Sequence, residues 1–127
     1  MELNYNYTHK LLGCAYKVHS VLGPGLLESV YEAALLYELR LQGFEVKHQV
    51  PVKVRYGDIS LDVDLRLDII VDDKVILELK SVSEILPVHK KQLLTYMRLT
   101  KSKLGYVINF NVDKLSEGGI ERLVNHL

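Results

Sequence analysis

The sequence carries a single cysteine, Cys14, among 127 residues. No internal disulfide can form, which leads us to expect a protein of the reducing cytoplasm. Long apolar runs are also missing. The patch Leu11-Leu12-Gly13-Cys14-Ala15-Tyr16 falls well short of the roughly 20 residues that a membrane span needs. It lacks the charged-then-apolar layout and cleavage site of a secretory signal as well. There is no internal repeat, low-complexity tract or linker. Net charge is absent, with 16 basic side chains against 16 acidic ones. This argues against a protein that grips nucleic acid by bulk charge alone. One local absence points the other way. Between Ile85 and Val112 there is no Asp or Glu, while His89, Lys90, Lys91, Arg98, Lys101 and Lys103 fall in that stretch. A neutral chain can still present one basic face, although a solvated helix surface is the plainer reading.

What is present fits one soluble domain spanning residues 1–127. The chain is 48% hydrophobic and 25% charged, and it is long enough to bury a core without disulfides or a structural metal. A first helix is expected from Tyr7 to Val21, broken by Leu22-Gly23-Pro24-Gly25. A second runs from about Leu26 to Gln42 and stops at Gly43. In it Leu27, Val30, Ala34, Tyr37 and Leu41 recur at helical spacing, and Leu35 and Leu39 make the opposite flank apolar too. A helix apolar on most sides is expected to be largely buried, with Glu28 on the Leu35–Leu39 flank in a partly apolar place. Strands are expected at Phe44–Val54, where Pro51 marks an edge position, then at Ile59–Val71 and Val75–Lys80. A third helix covers about Val88 to Thr100 after Pro87, a fourth strand covers Leu104–Phe110, and the tail around Ile120–Asn125 leans to strand. This order predicts an α/β domain with a mixed sheet and helices packed on it.

The chemistry concentrates in Asp68-Ile69-Ile70-Val71-Asp72-Asp73-Lys74-Val75-Ile76-Leu77-Glu78-Leu79-Lys80. Side chains alternate faces along a strand. If Asp72, Asp73 and Lys74 form a three-residue loop, Val71 pairs with Val75 and Asp68 stands opposite Glu78 on the same face. A two-residue loop would put them on opposite faces. Two carboxylates across a ladder have Cβ atoms about 5 Å apart and repel each other. A hard divalent cation such as Mg²⁺ or Mn²⁺ removes that penalty. Lys80 projects beside them, placed to stabilise charge building on a phosphate. The sum is a site for phosphodiester hydrolysis, with a cation as Lewis acid, a water as nucleophile and a lysine as charge stabiliser. Acid-x-Lys also occurs at Glu45-Val46-Lys47 and Asp72-Asp73-Lys74, so the pattern alone is weak. The bland alternative is a solvated sheet face, against which Ile70 and Ile76 share that face. The five histidines show no ligand spacing that would suggest zinc.

Around these residues the chain resembles a known family. Gly25-Leu26-Leu27-Glu28-Ser29-Val30-Tyr31 matches the signature of the bacterial GxxExxY proteins, a branch of the PD-(D/E)xK nuclease superfamily. Val18-His19, Leu22-Gly23-Pro24-Gly25, Asp68 with Glu78-Leu79-Lys80, His89 with Gln92 and Tyr96, and Gly105 through Asn109-Phe110 follow in the same order as in that family. Leu67 stands where the superfamily's name has proline. The resemblance implies a restriction-endonuclease-like α-β-β-β-α-β core with a central mixed sheet of four or slightly more strands. It implies Asp68, Glu78, Glu28 and the Leu79 carbonyl as ligands of Mg²⁺ or Mn²⁺, with Lys80 as the catalytic lysine. It implies Gln92 and Tyr96, four apart on one helix face, as substrate contacts, with Lys91 and Tyr31 beside them. Without the resemblance, Glu28 reads as a dipole-favoured acid near a helix start, and Tyr31 as a packed aromatic with a bonded hydroxyl. The implied activity is a metal-dependent nuclease acting on nucleic acid, DNA above all. Fold does not fix function, so an inert nuclease fold serving nucleic-acid binding or protein interaction stands as the alternative. A chain this small is expected to need a protein partner or a homo-oligomer for specific cutting, and no membrane.

Overall fold

The computed structural model describes residues 3–126. The first helix, α1 (Tyr5–Leu22), starts where Asn4 Oδ1 accepts the Tyr7 N–H at 2.9 Å. It ends where the Gly23 N–H reaches His19 O at 2.8 Å. A short turn leads to α2 (Glu28–Leu41). Five strands form the main sheet: β1 (Val46–Pro51), β4 (Arg66–Val71), β5 (Val75–Lys80), β6 (Leu104–Asn109) and β7 (Ile120–Val124), in that spatial order. Neighbours are antiparallel except β5 and β6, which are parallel and joined through α3 (Pro87–Thr100). This is the crossover that a parallel pair requires. The mixed sheet thus has five strands, and the tail is a strand as expected.

Three layers result. Tyr7, Leu11 and Val18 of α1 and Tyr31, Leu35 and Leu39 of α2 pack on Ile69, Val71, Leu77, Leu79, Tyr106 and Ile108. On the other face Leu93, Tyr96 and Met97 of α3 cover Ile76 and Val107. Each such side chain, removed from water, contributes about 1.5–3 kcal/mol. At Gly105 an added Cβ would meet Met97 Sδ at 2.9 Å and Leu93 Cδ1 at 3.1 Å, so α3 lies directly on the β6 backbone.

Two expectations need correction. The strands expected at Phe44–Val54 and Ile59–Val71 are interrupted. Between β1 and β4 the chain makes a separate hairpin, β2 (Val54–Tyr56) with β3 (Ile59–Leu61). Pro51 ends the first strand because it has no N–H to donate. Gly57, at φ 62, then supplies the left-handed turn residue that reverses the chain. The second correction concerns α2. Its buried face is Tyr31, Leu35, Leu36 and Leu39. The stripe Leu27, Val30, Tyr37 and Leu41 is exposed, with Ala34 only half-buried among them. Glu28 is also exposed rather than set in an apolar place.

Candidate active site

The site begins with the turn between β4 and β5. Asp72 and Asp73 both take φ 53, a left-handed conformation that aspartate tolerates better than most residues. Asp72 is tied down by the Tyr7 hydroxyl at 2.8 Å and by the Glu45 N–H at 2.9 Å. Lys74 N–H closes onto Val71 O at 2.9 Å. The loop therefore has three residues, and Val71 pairs with Val75, Ile70 with Ile76 and Ile69 with Leu77. One step further the regular rungs stop and the carboxylates take their place. Leu79 N–H donates to Asp68 Oδ2 at 2.8 Å, and Asp68 N–H donates to Glu78 Oε1 at 3.2 Å. The ladder opens at the position where the two acids meet.

Glu78 is 6% exposed. Burial first, and then the neighbouring Asp68 charge, push its carboxyl up to about 8. A side-chain hydrogen bond with Asp68 raises it further, while the Asp68 N–H and the Lys80 ammonium pull it down. Physically, two carboxylates at one spot cannot both ionise cheaply, so the pair holds one proton near neutral pH. Tyr96 belongs to the same environment. Burial and then the Glu78 charge raise its phenol above the usual range, and Gln92 Nε2 donates to its hydroxyl at 3.2 Å.

Glu28, Ser29, Glu32, Gln49, Asp68 and Leu79 line a cleft of about 120 Å³. Glu28 and Asp68, far apart in sequence, thus open onto one space. Among the described residues, however, no three His, Cys, Asp or Glu side chains stand close enough together to hold a metal. The close acid set is the Asp68–Glu78 pair, and Glu28 lines the cleft without joining it. The N–H and C=O of one strand residue point the same way. With its N–H on Asp68, Leu79 therefore turns its carbonyl toward the same opening.

Gln49 joins the site from β1. The ladder pairs His48 with Ile69 and Val50 with Leu67, which puts Gln49 across from Asp68. Its φ is 51 inside a strand, and its Nε2 donates to Glu32 Oε1 at 2.8 Å. A bulky residue held left-handed is strained, and such strain gathers at functional sites. No turn-forming residue marks the position in sequence; only Pro51 nearby hints at an irregular strand.

The remaining residues separate into neighbours of the site and framework. Lys80 is half-buried at the end of β5, close enough to act on Glu78. Lys91 is exposed on α3. Tyr31, expected beside the substrate, is instead fully buried. It stacks on Phe110 with ring centroids 4.5 Å apart, donates to Gly23 O at 2.6 Å and accepts from Leu26 N–H at 3.1 Å. It holds the turn that starts α2 and leaves no surface for a ligand. His89, expected on the helix surface, accepts the Leu86 N–H at 3.0 Å and so helps cap α3. Asn109 is fully buried and clamps the segment after Lys80, accepting from Val82 N–H at 3.1 Å and donating to Val82 O at 3.0 Å. Ser81 Oγ ties that segment to Leu26 O at 2.6 Å.

No curated protein and no solved structure matches the chain. A family model described as the PD-(D/E)XK nuclease superfamily matches residues 5–123. That span takes in both helices on one sheet face, the crossover helix on the other, and the opposed acids with the lysine two residues on. The mixed α/β sheet is the restriction-endonuclease-like arrangement, and the chain belongs to the PD-(D/E)XK nuclease superfamily.

Proposed function

We propose that this protein is a metal-dependent nuclease of the GxxExxY branch, hydrolysing phosphodiester bonds in nucleic acid, DNA in the first instance. The observation that carries the reading is the Asp68–Glu78 pair, opposed across an opened ladder and buried enough for Glu78 to keep its proton near neutral pH. Left without a cation, such a pair costs the fold stability. Members of this superfamily generally use divalent metals. The donors in reach are all oxygens, from Asp68, Glu78 and the Leu79 carbonyl, and such a set suits Mg²⁺ or Mn²⁺. When bound, the cation would supply Lewis-acid polarisation of the phosphate and a more acidic water.

This chain's own residues do the rest. Lys80, beside Glu78, stabilises negative charge on the phosphate being attacked. Glu28 lines the cleft with Asp68 and is placed to hold a water on that side. Tyr96 lies near the acids and Gln92, four residues earlier on α3, bonds its hydroxyl; together they orient the substrate. Lys91, exposed on the same helix, is available to a phosphate backbone. The test is cleavage of single-stranded DNA, duplex DNA and RNA with Mg²⁺ or Mn²⁺, comparing wild type with Asp68→Ala and Lys80→Ala. Cleavage by wild type alone is expected. Equal cleavage by Asp68→Ala would refute the reading.

A further inference from the structure

The exposed stripe on α2 needs an explanation. Leu27 is 74%, Tyr37 63% and Leu41 62% exposed, with Val30 exposed between them. On α1 Val21 is 67% exposed. Single exposed apolar residues are ordinary, whereas a contiguous group marks an interaction surface. This group is ordered. Leu27, Val30, Ala34, Tyr37 and Leu41 alternate by three and four, which is the seam of a helix that packs against another helix. Among the described residues Leu27, Val30, Tyr37 and Leu41 stay exposed, because α2 buries Tyr31, Leu35, Leu36 and Leu39 instead. Beside it runs a groove of about 190 Å³ between α1 and α2, lined by Val18, Val21, Leu22, Ala34 and Tyr37.

We infer that this face is a homodimer interface, in which Tyr37 of each copy packs against Ala34 in the groove of the other. The seam is self-complementary about a two-fold axis between Ala34 and Tyr37. Antiparallel α2 helices then set the small Ala34 against the large Tyr37 of the second copy, and Val30 against its Leu41. Large against small is how packed layers interdigitate, and a two-fold contact must use one patch twice. Charge permits it. Lys17 and Glu38 border the groove with opposite signs, so two grooves meeting each bring one of each, and the net charge of zero sets up no repulsion between copies.

Sedimentation velocity across the micromolar range tests it. Wild type is expected as a dimer, and Tyr37→Glu and Ala34→Trp as monomers with unchanged far-UV circular dichroism. Tyr56→Glu, exposed on the separate β2–β3 hairpin, is expected to leave the dimer intact. Oxidation gives a second readout. A mixture of Ala34→Cys and Tyr37→Cys chains should form a disulfide-linked dimer in several-fold higher yield than either alone, with Cys14 buried and silent. A monomeric wild type would overturn the inference and leave the face to a different partner. A dimer that survives Tyr37→Glu would overturn it by placing the interface elsewhere.

Discussion

Replacing Glu78 with glutamine should stabilise the metal-free protein at alkaline pH while removing one of the proposed metal ligands. In the fold the Glu78 carboxyl is pushed from 4.5 to about 8, chiefly by burial and then by Asp68. Between those two values the folded state binds a proton that the unfolded state has released. The contribution of this one carboxyl to stability is therefore fully present below about pH 4.5 and is lost as pH rises from there through about 8. At about 1.4 kcal/mol per pH unit the ceiling is ~5 kcal/mol. Relaxation around the ionised pair lowers this, and a loss of about 2–4 kcal/mol between pH 5 and pH 9 is expected. For a domain of this size that is roughly 10 °C in thermal midpoint. Glutamine reproduces the protonated acid, since its Oε1 accepts the Asp68 N–H and its amide donates to the Asp68 carboxylate. Urea unfolding in chelator at the two pH values, for wild type and Glu78→Gln, reads the difference directly and cancels the other titrating groups. The variant should lose far less stability than wild type and be the more stable of the two at pH 9. Parallel pH profiles, or a wild type that gains stability relative to the variant as pH rises, would show that Glu78 is ionised in the fold.

Three further outcomes follow from the geometry. Lys80→Ala should reduce cleavage by about a hundredfold or more while changing Mn²⁺ affinity only a few-fold, as separate cleavage and calorimetric measurements will show. Tyr31→Phe keeps the stack on Phe110 but removes the hydroxyl that serves Gly23 and Leu26. It should cost about 1–3 kcal/mol in urea unfolding and leave the KM for nucleic acid unchanged, whereas a substrate-contact role would raise KM at no cost in stability. Asn109→Ala removes the clamp on Val82 from a fully buried position and should cost about 2–4 kcal/mol in the same assay.

The site's central register could be read from the sequence because it follows from parity. An odd loop of Asp72, Asp73 and Lys74 puts Asp68 opposite Glu78, and the observed pairing of Val71 with Val75 has that loop. The helices were legible from their breakers, Gly23-Pro24-Gly25 and Pro87. The facing of α2 was not. Its stripes Leu27–Leu41 and Tyr31–Leu39 are both apolar and helically spaced, so periodicity alone could not choose between them. The choice goes with the long-range stack of Tyr31 on Phe110 and the bonds of its hydroxyl to Gly23 and Leu26. The interrupted strands were hidden because Val52–Leu65 is rich in strand-forming residues, and only Pro51 and Gly57-Asp58 mark the break. Gln49 carries no local sign of its left-handed backbone. The proton on Glu78 depends on burial that no motif records.

The claim that matters most is that Asp68 and Glu78 form a metal site. Calorimetric titration of Mn²⁺ into wild type and Asp68→Ala near pH 7, repeated in two buffers of different ionisation enthalpy, tests it most directly. Wild type is expected to bind with release of up to about one proton, displaced from Glu78, and Asp68→Ala is expected not to bind. Equal binding by both proteins, or wild-type binding with no proton released, would contradict it.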